Sequence, residues 1–112
     1  MRIYKILPRW EWDAALAACR FDGSAVDRAD GFIHFSTAEQ AQETARRHFT
    51  GQEDLLVLAV EAADLGHALQ WERSRRGALF PHLYAHLDTA LVREVSEAPL
   101  DADGAPQIPD RA

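Results

Sequence analysis

No apolar run in this chain reaches the roughly 18 residues that suggest a membrane span, so nothing in it is expected to cross a bilayer. Its apolar opening, residues 3–7, is too short for a signal peptide and meets Pro8 and Arg9 at once. The expected location is the cytoplasm. Cysteine is almost missing: Cys19 is alone, so no internal disulfide can form, which agrees with a reducing compartment. An excess of positive charge is missing too. Twelve Lys and Arg stand against 18 Asp and Glu, a formal net charge of −6, and this argues against broad binding to a nucleic-acid backbone. The H-E-x-x-H zinc signature is also absent, because Leu83 stands where its Glu would follow His82. There is no internal repeat.

What is present fits one domain. A chain of 112 residues, 47% hydrophobic and 27% charged, is long enough for one core and too apolar for wholesale disorder. Strand signals open it at residues 3–7, rich in β-branched and aromatic side chains and closed by Pro8. A helix is expected over residues 10–20, with Trp12, Ala15, Leu16 and Cys19 gathered on its inward face and Trp10 plugging the turn before it. Residues 21–31 are polar and turn-rich, and read as a surface loop. A strand over 32–35 and an Ala-rich helix over 38–49 follow, with Gly51 as the stop. The continuous apolar run 55–60 predicts a central strand covered on both faces. Further strands are expected over 68–73, 79–87 and 91–95, with a basic loop over 74–77. From Pro99 onward the chain reads as an extended or frayed tail, which divides it into a domain over 1–98 and a tail over 99–112.

Chemistry concentrates where the second strand meets the helix, in Gly31-Phe32-Ile33-His34-Phe35-Ser36-Thr37. Alternation places Phe32, His34 and Ser36 on one side and Ile33 and Phe35 on the other. Two capping boxes are open here, Ser36 with Glu39 and Thr37 with Gln40. Later in the chain His82, Tyr84 and His86 share one face if residues 79–87 stay extended. Glu72 beside Trp71 is expected either to be partly desolvated, which favours its protonated form, or to partner a neighbouring His. His82 and Tyr84 have a purely structural alternative as a hydrogen-bonded pair fastening two strands.

Taken together, Ile3-Tyr4, Trp12, Gly31-Phe32-Ile33-His34 with Ser36-Thr37, Trp71-Glu72 and Phe80-Pro81-His82-Leu83-Tyr84 closely resemble the bacterial family called domain of unknown function 952. The resemblance runs to about Glu97. It implies a small α+β fold of split, mostly antiparallel sheets with two main helices, similar to the ADP-ribosyltransferase catalytic core. In those enzymes a Gly-aromatic strand leads to a Ser or Thr and an Ala-rich helix, and Gly31 to Ala45 resembles that motif. They also carry a His on the first strand and a late Glu; here Lys5 stands at the first position and Glu72, then Glu61, is the best candidate for the second.

The expected catalytic residues are therefore His34, Glu72 and His82, and the expected ligand contacts are Lys5, Ser36, Thr37, Trp71, Tyr84 and Arg75. No metal ligand is assigned. The cofactor that the resemblance implies is NAD, and the partner a small molecule, a nucleotide or another small anion, bound by a monomer. Two other readings remain: a non-catalytic binding or regulatory module that has lost transferase chemistry, and a metal-binding protein using His34, His82 and His86.

Overall fold

The computed structural model describes residues 1–74 and 77–109. Its first strand, β1 (Arg2–Pro8), pairs antiparallel with β4 (Leu55–Glu61) from Arg2↔Glu61 to Pro8↔Leu55, and β8 (Val92–Glu97) flanks β4 on the other side. The apolar run of β4 is thus central to its sheet, and period-two alternation explains its composition. Leu56, Leu58 and Val60 join Ile3, Leu7 and Trp12 in one buried cluster; Leu55, Val57 and Ala59 join Tyr4, Ile6, Ala41 and Ala45 in another. Both faces of the strand are covered.

A second three-stranded sheet has the order β3 (Ile33–His34), β6 (Leu79–Leu83), β5 (Leu69–Arg73), and a two-stranded one pairs β2 (Arg20–Phe21) with β7 (Leu87–Asp88). All strand pairings among the described residues are antiparallel. Reciprocal backbone bonds of 2.8 and 2.9 Å between Tyr4 and Ser36 tie β1 to the chain just after β3. That bridge brings the two larger sheets together beside α3 (Ala38–Phe49). The fold is a compact α+β domain.

Several elements depart from their sequence-based expectation. The loop expected over 21–31 contains a third helix, α2 (Ala25–Asp30), because Asp27 accepts the Ser24 N–H at 2.9 Å and closes half of a capping box. Helix α1 spans Arg9–Ala18 and buries only Trp12 and Ala15. Trp10 is 70% exposed and plugs nothing, Leu16 is half exposed, and Cys19 is an exposed left-handed C-cap. The stretch 79–87 is not one strand: it bends after Leu83. The tail is folded as far as Pro109. Leu100 bridges Pro106, Ala105 and Pro106 are buried, and Gln42 of α3 donates to the Pro106 carbonyl and accepts the Ile108 N–H, each at 2.9 Å. A boundary at residue 98 therefore falls inside packed structure.

Candidate functional site

Helix α2 carries the residue on which the site is built. Asp27 is 1% exposed, and four donors fill its carboxylate. Lys5 Nζ (2.7 Å) and the Ser24 N–H (2.9 Å) donate to Oδ2, while the His34 N–H (3.1 Å) and His34 Nδ1 (2.5 Å) face Oδ1. Burial by itself raises the Asp27 pKa, but the His34 bond and the adjacent Lys5 ammonium outweigh it and hold the carboxyl down at about 2. Burial lowers the Lys5 pKa, with Asp27 opposing that pull. Lys5 is therefore engaged inside the protein, 5% exposed. An ionised Asp27 only accepts, so His34 Nδ1 is the donor in this pair. The opposite nitrogen, Nε2, lies 2.9 Å from Asp30 Oδ2. An imidazolium makes both bonds and a neutral ring only one.

Strand β6 supplies a matching arrangement. His82 lies directly across from His34 in the β3–β6 register, and the two ring centroids are 5.6 Å apart. Its Nδ1 faces Glu72 Oε1 at 2.7 Å, and the Tyr84 hydroxyl donates to the same oxygen at 2.7 Å. Those two bonds, Tyr84 first, hold the Glu72 pKa below the usual carboxylate range, and the same carboxylate raises the Tyr84 pKa. Of the two expectations for Glu72, partnership with a His is the one realised. His82 and Tyr84 are joined through this carboxylate. Phe32 packs over the whole group, stacked on His82 at 4.0 Å and 22°, 4.6 Å from His34 and 5.2 Å from Tyr84.

The remaining sequence candidates are dispersed. Ser36 is buried, its Oγ bonded to Thr44 Oγ1 at 2.9 Å and its backbone bridged to Tyr4. Thr37 caps α3: its Oγ1 accepts the Gln40 N–H, and Gln40 Oε1 accepts the Thr37 N–H at 3.0 Å, which decides between the two capping boxes. Alternation along β5 puts Trp71, opposite Pro81, on the face away from Glu72. Arg75 lies outside the described residues. His86 lies beyond the end of β6, on the rim of a cavity of about 270 Å³. Among the described residues no group of three or more His, Cys, Asp or Glu side chains is arranged to hold a metal ion.

Sequence reasoning missed Asp27, Asp30 and Phe32. The signal for Asp27 was the Ser24-x-x-Asp27 spacing of a capping box inside an otherwise loop-like segment.

The sequence profile of the family described as "Protein of unknown function (DUF952)" matches residues 6–95. The crystal structure of protein CC0527 from Caulobacter crescentus is 61% identical, with a TM-score of 0.94, covering 96% of this chain and 94% of that one. Its solution NMR structure, also 61% identical, superposes with a TM-score of 0.86, covering 95% of this chain and 91% of that one. No curated protein matches the chain.

Proposed function

The chain belongs to the DUF952 family, and on that premise we propose that it is a small-molecule-binding protein with an ADP-ribosyltransferase-like fold. Its ligand is a small anion, with nucleotides and NAD the first class to test. The protein works as a cytoplasmic monomer. His34 and His82 meet the ligand as hydrogen-bond donors or as a general acid and base. One observation carries this reading: two imidazoles 5.6 Å apart, each with Nδ1 against its own carboxylate, Asp27 and Glu72. Such carboxylates orient the rings and set Nδ1 as the donor, so that proton exchange with a ligand falls to Nε2, which on His34 faces Asp30 at 2.9 Å and must exchange that partner for the ligand. On His82 that nitrogen has no hydrogen-bond partner among the described residues.

A thermal-shift series against NAD, ADP-ribose and nucleotides tests it, because a ligand bound to the folded state raises the melting temperature by mass action. The expected result is stabilisation that disappears in His34→Gln and His82→Gln while both variants remain folded. Stabilisation unchanged in both variants, or none at millimolar ligand, would remove the proposal. A binding module without chemistry is the second reading, favoured by the commitment of Lys5 to Asp27 in a buried ion pair at 2.7 Å. Binding of NAD with no release of nicotinamide would select it.

A further inference from the structure

Neither His34 nor His82 lines the larger of two neighbouring cavities, a space of about 270 Å³ whose walls include Arg20, Arg28, Phe32, Tyr84 and His86. A second space of about 170 Å³ shares Arg20, Asp22 and Arg28 with it and reaches Trp10. The charges around the larger cavity do not balance. Asp22 is taken by Arg20 at 2.8 Å, and Asp27 by Lys5 and His34. Arg28 has no carboxylate: its bond is from Nη1 to the Gly23 carbonyl at 3.0 Å, and among the described residues no ion pair includes it. Consecutive helical residues are about 100° apart, so α2 turns Asp27 inward and leaves Arg28 on the cavity wall. A guanidinium carries five N–H donors in a planar fork, and among the described residues one of them has a protein acceptor. His86 has no hydrogen-bond partner among the described residues either.

Two aromatic residues also line the cavity, Phe32 and Tyr84, with ring centroids 5.2 Å apart. Ligand pockets generally measure about 300–1,000 Å³, so a volume of about 270 Å³ suits one ring and its anionic group and is small for a dinucleotide. We infer that this cavity binds a single aromatic ring bearing a carboxylate or a phosphate, with Arg28 holding the anion and the ring packed beside Phe32 and Tyr84. The site uses neither imidazole of the facing pair, although it shares Phe32 and Tyr84 with them.

The test is a titration of the full ¹⁵N-labelled chain, followed by amide shifts, with phenyl phosphate, benzoate and the neutral benzamide. Saturable shifts are expected at the amides of Gly31, Phe32, Tyr84 and His86 for both anions, with benzamide weaker by roughly tenfold, the value of one charge-assisted hydrogen bond. Comparing phenyl phosphate with benzoate tells which anion the site prefers. Arg28 is exposed, so Arg28→Met should keep the parent spectrum elsewhere while weakening both anions roughly tenfold, and Arg28→Lys should restore part of the loss. Failure here is distinguishable from failure of the acid–base proposal, because this inference is read with benzoate and phenyl phosphate at Arg28, whereas that one is read with NAD and nucleotides at His34 and His82. Equal binding of benzamide, an Arg28→Met variant that binds like the parent, shifts centred on other residues, or no saturable shift at millimolar ligand would each overturn the inference.

Discussion

Gly23 has φ of +105°, and a Cβ built there would lie 2.8 Å from the Asp27 Cβ, a contact that no flexible side-chain end can relieve. Gly23→Ala therefore combines left-handed strain with a clash at the centre of the site, and a loss of about 1–3 kcal/mol is expected in urea unfolding. Asp27 itself links stability to pH. Its carboxyl lies at about 2 in the folded state against an ordinary 3.8, so between those values the unfolded chain binds more protons and stability rises with pH. Its contribution, about 2 kcal/mol, is complete above roughly pH 4 and drains away as pH falls through 2. Comparing the acid limbs of the parent and Asp27→Asn isolates it; parallel limbs would contradict the assignment. At neutral pH the same substitution leaves the Lys5 ammonium buried without its counter-charge, and about 3–5 kcal/mol should be lost.

The site residues come from short elements held by caps and bridges. Helix α3 (Ala38–Phe49) starts on a reciprocal Thr37–Gln40 box, and the Gln40 amide also donates to the Leu79 carbonyl at 2.8 Å. Thr37→Ala should cost about 1 kcal/mol in thermal unfolding. The segment after β8 behaves as part of the domain. Removing everything after Glu97 strips Ala98, Ala105 and Pro106 from buried positions and orphans both ends of the Gln42 amide. A loss of about 2 kcal/mol or more is expected, and an unchanged melting temperature would show that this docking contributes nothing. Composition pointed the other way because a stretch rich in Pro, Asp and Ala reads as a frayed tail when its docking partner, Gln42, lies far along the chain. Asp101, accepting the N–H groups of Asp103 and Ala105 at 2.8 and 3.0 Å, folds that stretch as a compact turn instead.

Across the whole molecule, two polar centres share one aromatic wall. Phe32 touches both facing imidazoles and also lines the Arg28 cavity, so occupation of either centre bears on the same residue. Phe32→Leu should therefore weaken phenyl phosphate binding several-fold while leaving inorganic phosphate little changed, a stacking contribution of about 1 kcal/mol. Equal weakening of both would place the ring outside the contact.

The amino-acid sequence by itself determined the strands and helices whose patterns are local and strong: the apolar β4, the Ala-rich α3 with its cap, and the alternation that puts Ile33 and Phe35 in the core and Phe32 and His34 on the other face. It also carried the family strings that hold His34, Glu72, His82 and Tyr84. Tertiary structure alone decided which of those side chains meet. His34 and His82 are 48 residues apart and become neighbours only through the β3–β6 register. Asp27 looks like one more loop carboxylate until burial removes its water and Lys5, Ser24 and His34 solvate it in its place. That is a property of the assembled fold, because desolvation and long-range hydrogen bonds have no signature in local spacing.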